Sequence, residues 1–122
     1  MRFLVMVQMT PESEARHVLI KEDFLKMGAF NETLVRDGVL LDAEGLHPSS
    51  KGARISFAGG KPAVTDGPFT ESKELVAGFW LLQARSKEEI IERLKQCPFQ
   101  RGEQIEIRQL YEPEDLAEML AS

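Results

Sequence analysis

Nine residues, LVAGFWLLQ (75–83), constrain the fold more than any other stretch of this chain. Read as a strand they are apolar on both faces, with Val76, Trp80 and Leu82 on one side and Leu75, Phe79 and Leu81 on the other. Such a strand needs a sheet covered above and below. RFLVMVQ (2–8) makes the same demand, with Phe3, Val5 and Val7 on one face and Leu4 and Met6 on the other.

The remaining segments supply neighbours for these two strands. TPESEARHVLIKED (10–23) is polar and charged and reads as a loop entering a helix. From Lys21 to Asp37, Phe24, Met27, Phe30, Leu34 and Val35 recur at helical spacing, and Gly38 stands where a helix C-terminal glycine belongs. VLLDAEGL (39–46) predicts a strand, and HPSSKG (47–52) a loop. ARISFAGGKPAV (53–64) predicts a hairpin closed by a two-residue Gly59-Gly60 turn. SKEEIIERLKQCP (86–98) predicts a helix with a Ser86/Glu89 capping box, an Ile90, Leu94 and Cys97 stripe, and Pro98 at its end. QIEIRQL (104–110) alternates as a half-exposed strand, and EPEDLAEML (112–120) predicts a short helix with acids in its first turn.

The order is therefore β-α-β, hairpin, β-α-β, helix, a ferredoxin-like α+β pattern with an inserted hairpin. Its 122 residues suit a single domain spanning 1–122 with one core. Two main helices can cover only one face of the sheet. The economical cover for the other is a second copy of the chain packed sheet to sheet, so a homodimer is expected. The net charge of −5 argues against direct nucleic-acid binding. The single cysteine, Cys97, rules out an internal disulfide and suits a reducing compartment. The first ten residues lack the pattern of a secretory signal, and no segment is long and apolar enough for a membrane span. The chain is expected to be cytoplasmic.

The stretch TDGPF (65–69), supported by GVLLDAEGLHPSS (38–50), TESKELVAGFW (70–80) and IEIR (105–108), resembles the YCII-related family in its Asp-Gly-Pro-Phe (DGPF) branch. The resemblance runs in order over nearly the whole chain. It implies a ferredoxin-like subunit of a dimeric α+β barrel, in a superfamily that includes small-molecule isomerases, lyases and oxygenases. It also implies a link to extracytoplasmic-function sigma factors, beside which some members are encoded. In the shorter branch a histidine of the first helix and an aspartate form the proposed active pair. Counting back from the glycine after that helix puts the histidine position at about Met27, which cannot transfer protons.

Asp66 is the first candidate catalytic residue. A short acid before Gly67-Pro68 commonly bonds its own turn; beside an apolar strand it can instead serve as a general base. His47 titrates near neutrality and is the second candidate, for an acid/base or ligand-orienting role in the same cleft. Glu44 could face that cleft or an outer strand face. Arg54 and Arg108 could bind a carboxylate in bidentate fashion, or act as edge charges that discourage sheet aggregation. Lys73, near the turn with Glu71 and Glu74, could meet an anionic substrate. His17, in a charged loop, carries little weight. Trp80 and Cys97 read as packing residues.

The histidines and the cysteine lack zinc spacing, and FAGGKP lacks the strand-to-helix setting of a phosphate loop. Neither a metal nor a cofactor is expected. Ser49 and Ser50 lie too close in sequence to His47 for it to act as their base. Two functional readings follow. One is a cofactor-independent isomerase or lyase in which Asp66 removes a proton and His47 or an arginine stabilises the enolate. The other is a non-catalytic ligand-binding or regulatory dimer, tied through the family resemblance to a sigma factor.

Overall fold

The two strands that are apolar on both faces lie side by side at the centre of the sheet. A computed structural model describes residues 1–16 and 20–121. Its elements are β1 (Arg2–Met9), α1 (Pro11–Ala15), α2 (Lys21–Arg36), β2 (Leu40–Gly45), β3 (Ala53–Ser56), β4 (Ala63–Asp66), β5 (Leu75–Gln83), α3 (Lys87–Leu94), β6 (Gln104–Gln109) and α4 (Pro113–Ala121). The main sheet has the order β2-β5-β1-β6, and every pairing is antiparallel. Each long helix links two strands that flank a third, α2 around β5 and α3 around β1. This is the ferredoxin-like arrangement, and β3–β4 stands apart as a separate two-stranded sheet.

One sheet face carries the core. Phe3 lies opposite Leu82, and Val5 lies between Trp80 and Ile107. Phe30 and Leu34 of α2 and Ile90 and Leu94 of α3 close over them. The Trp80 ring meets the edge of Phe30 at 6.2 Å and lies 6.1 Å from Phe99. Its indole N–H donates to Asn31 Oδ1 at 2.8 Å, so the one polar atom of this side chain is satisfied.

Local chemistry sets the ends of both helices. Gly38 adopts φ 72°. Its N–H bonds the Val35 carbonyl, and the Val39 N–H bonds the Leu34 carbonyl, the paired bonds of a Schellman ending. The chain thus turns directly from buried Leu34 into buried Val39 and β2. At α3, Ser86 Oγ accepts from the Glu89 N–H at 3.2 Å, while the Glu89 carboxylate accepts from the Arg85 N–H, one residue earlier than in the usual box.

Several expectations need correction. The sides of β5 do not alternate strictly. Val7 pairs with Gly78 but Gln8 pairs with Val76, leaving a bulge at Ala77. Leu75 is therefore the buried residue, 6% exposed, and Val76 turns outward at 40%. The hairpin is real and Gly59 and Gly60 have φ 76° and 83°, but the connection runs over residues 57–62, because Ser56 pairs with Ala63. The helix expected to reach Pro98 stops at Leu94, and Cys97 lies in the turn beyond, its N–H bonded to the Leu94 carbonyl. On α2, Phe24 and Val35 are exposed, so its buried stripe is narrower than the periodicity suggests. Within 10–23 a short helix, α1, starts at Pro11, with Thr10 Oγ1 accepting from the Ser13 N–H. Thr before Pro is the signal that could have found it.

The opposite face of the sheet carries Leu4, Met6, Phe79 and Leu81 at its centre, all only half-buried. Two arrangements tie down the chain ends of the sheet. The Leu110 N–H bonds the Arg2 carbonyl, and the Arg2 guanidinium grips Glu112 with Nε at 2.8 Å and a second nitrogen at 3.2 Å. Hydrogen bonding to Arg2, more than its charge, holds the Glu112 carboxyl below its usual range. Among the described residues, no helix is long and apolar enough to cross a membrane.

Two outcomes follow. Leu34→Ala, which empties a fully buried site, lowers the unfolding free energy by about 3 kcal/mol in urea titrations. Because the folded-state value of Glu112 is depressed, its contribution is present above the unfolded glutamate value and is lost as pH falls through the folded one. Glu112→Gln therefore makes the acid limb of a stability-versus-pH curve shallower and leaves its shape near neutrality unchanged.

Candidate functional site

The Asp-Gly-Pro-Phe turn begins where β4 ends. Ala53 pairs with Asp66 and Ile55 with Val64, so these four side chains share one face of the hairpin; Arg54 and Thr65 lie on the other. The rest of the turn is fixed against residues 49–52. The Gly67 N–H bonds the Gly52 carbonyl at 3.0 Å, and a Cβ on Gly67 would overlap the Ser49 carbonyl. Only glycine permits that approach. The Gly67-Pro68 peptide is cis. The Phe69 N–H donates to Ser49 Oγ at 3.2 Å, and that hydroxyl donates to Glu14 at 2.5 Å. Arg54 lies 3.9 Å above the Phe69 ring and donates to Ser72 Oγ at 2.8 Å.

Gly67 and Phe69 thus serve to hold the turn. Asp66 does not. Its carboxylate is exposed and, among the described residues, meets neither a hydrogen-bond donor nor a cation. The Asx-type bonding that a turn aspartate commonly makes is not formed here.

The structure places the other predicted residues as follows. His47 is exposed between β2 and the short 3-10 turn at Ser49–Lys51. The contacts of Ser49 and Gly52 with Gly67 and Phe69 bring its loop against the Asp66 turn. Glu44, opposite Phe79, and Arg108, opposite Leu4, occupy the open face of the main sheet but stand at its two edges, on β2 and β6. Arg108 forms an exposed pair with Glu106 at 3.3 Å. Arg54 shares the hairpin with Asp66 but points to the opposite side and is engaged by Phe69 and Ser72. Lys73 is exposed beyond the turn. His17 lies outside the described residues. Met27 packs half-buried against the core.

Glu14 and Ser49 are the residues that sequence reading missed as supports of the turn. They are 35 positions apart, and no local pattern links them. Two open grooves also mark the surface. One of about 860 Å³ runs between α2 and α3 past Lys26, Phe30, Arg93 and Pro98. The other, of about 580 Å³, lies beside α4 at Tyr111 and Met119. None of the predicted site residues lines either groove. No group of three or more His, Cys, Asp or Glu side chains that could hold a metal occurs among the described residues.

Cys97 lies outside this region. It packs partly buried against the core, and burial pushes its thiol up to about 11. The thiolate is the reactive form, so at pH 8 Cys97 should react with an aromatic disulfide reagent about 100-fold more slowly than an unperturbed thiol. Gly67→Ala, which forces the turn off the Ser49 carbonyl, should cost about 1–3 kcal/mol in thermal or urea unfolding.

The sequence model of the YCII-related domain matches residues 1–114. Comparison with curated proteins gives no match. The family match takes in both halves of the β2-β5-β1-β6 sheet and the turn at Asp66, and the chain belongs to the YCII-related domain family.

Proposed function

We propose that this chain works as a homodimer that binds a small molecule and catalyses an isomerase- or lyase-type proton transfer without a cofactor. Asp66 is the base. The observation that carries this reading is the contrast within the turn: its neighbours are held by Ser49, Gly52 and Arg54, while the Asp66 carboxylate, at the end of β4, has no bonding partner among the described residues. A rigid turn presenting a free carboxylate meets the positional requirement for a general base.

The chemistry needs a base and an oxyanion donor. Asp66 takes a proton from carbon next to a carbonyl, and the bonding pair moves onto the carbonyl oxygen. His47, carried on the loop packed against the same turn, donates to that developing oxyanion. Reprotonation at a different carbon completes an isomerisation; loss of a group from the adjacent carbon completes an elimination. Arg108, Glu44 and Lys73 are the polar groups available to orient the substrate, while Arg54, on the other side of the hairpin, holds the turn. A second copy over the face of Leu4, Met6, Phe79 and Leu81 supplies apolar walls that one chain lacks. The Asp-Gly-Pro-Phe turn is the reason to assign the chain to that branch of its family, and its single cysteine suits a cytoplasmic setting.

Met27 supports the second reading, a non-catalytic ligand-binding or regulatory dimer acting with a sigma factor. Its apolar thioether packs on the core at about the position where the resemblance places the shorter branch's histidine. The two readings separate in one experiment. Small 2-oxo and 3-oxo acids are incubated with the protein in D2O, and deuterium entry at the carbon beside the carbonyl is followed by proton NMR. Catalysed exchange is expected for at least one of them, and Asp66→Asn should slow it by about 100-fold or more. Undiminished exchange in Asp66→Asn removes the assigned base. Absence of exchange across the panel, with a sigma factor co-purifying, favours the regulatory dimer.

A further inference from the structure

We infer that Glu14 is a positioning residue for the Asp66 base, acting through the Ser49 hydroxyl on the turn that follows Asp66. This deepens the reading above and rests on its assignment of Asp66.

The hairpin cannot aim Asp66 by itself. Each of its strands has four residues, and every one is exposed. A two-stranded hairpin without a layer to pack on is at best marginally stable in water. The fixed reference comes instead from the centre of the sheet. Thr10 follows β1 directly and starts α1. Its carbonyl accepts from the Glu14 N–H at 2.9 Å, and its Oγ1 accepts from the Ser13 N–H at 3.1 Å. Met9, the last residue of β1, pairs with buried Leu75, where the chain leaving the turn enters β5. Glu14 therefore stands on a frame fixed to the two central strands, and its carboxylate reaches across to Ser49.

Two tethers of the turn meet at Ser49. Its carbonyl accepts from the Gly52 N–H at 2.9 Å and lies where a Cβ of Gly67 would stand. Its hydroxyl has a single proton to give. That proton goes to Glu14 Oε1 at 2.5 Å, which turns a lone pair toward the Phe69 N–H at 3.2 Å. The acceptor at position 14 thus decides which way the hydroxyl points, and a charged acceptor holds it more firmly than a neutral one. Without Glu14 the hydroxyl rotates, and the Phe69 N–H loses a fixed partner. The stack of Arg54 on Phe69 remains, so the turn loosens without unfolding. Asp66 lies one residue before Gly67 and moves with it. Displacing a reacting group by about 1 Å can cost about 100-fold in rate. A turn out of place for part of the time should cost about tenfold, and because Glu14 acts through Ser49 and not on the substrate, the loss falls on kcat.

The test measures amide hydrogen exchange by NMR in the full chain. In Glu14→Ala the Phe69 and Gly67 amides should both exchange about tenfold faster or more, with Val5 in the core unchanged. Glu14→Gln, which keeps an acceptor oxygen, should bring both back to within about threefold of the unmodified protein. The Gly67 amide is the decisive one, since its partner is the Gly52 carbonyl and not Ser49. Acceleration at Phe69 alone means that Glu14 secures one bond without placing the turn, and overturns the inference, as does no change at either amide. Ser49→Ala, which leaves α1 intact, should reproduce the Glu14→Ala rates, and the double variant should be no faster than either single one; additive effects overturn the route through Ser49. On a substrate found by the deuterium experiment, Glu14→Ala should lower kcat about tenfold and change KM by less than about twofold. Loss of turnover in Asp66→Asn with full kcat in Glu14→Ala overturns this inference alone. Undiminished turnover in Asp66→Asn removes the base, and the inference with it.

Discussion

The fold depends on the pairing of β1 with β5. Each is apolar on both faces, and together they form the middle of the sheet, so every other element is placed by reference to them. On one side they set Phe3, Val5, Trp80 and Leu82 in register beneath α2 and α3. On the other they expose a second apolar strip that the chain does not finish covering. The core and the unfilled face are two sides of the same pair of strands, and the interface proposed for the dimer follows from the composition of the core strands themselves.

Much of this was legible because it is local or periodic. Helix ends at Gly38 and Ser86 are written in single residues with defined backbone roles, and the structure uses both. The element order alone was enough for the ferredoxin-like class. The bulge at Ala77 was not legible, since one unopposed residue leaves the composition unchanged while exchanging the sides of Leu75 and Val76. Hairpin length was misjudged for a related reason. Two glycines with positive φ satisfy many turn geometries, and the register of Ser56 with Ala63 selected a longer one.

The candidate site divides along the same line. Sequence reading singled out Asp66, and its turn, but not the Glu14–Ser49–Phe69 chain of hydrogen bonds that supports the turn from a distant segment. Nor could spacing tell that Arg54 and Asp66, close in the hairpin, lie on opposite faces of it. Glu44 and Arg108 share a sheet face yet stand at opposite edges of it. Sites built from residues on separate loops are specified by packing, which sequence spacing does not encode.

The central position of β1 bears on how the chain is made. β1 leaves the ribosome before β5 and β6, the strands that flank it in the finished sheet, and the grip of Arg2 on Glu112 joins residues 110 positions apart. β1 must therefore wait, its apolar faces unpaired, until most of the chain has emerged. Contacts so distant in sequence slow folding and lengthen the exposure of unpaired edges. During synthesis, the segment on which the core is later built is the one most in need of protection from other chains.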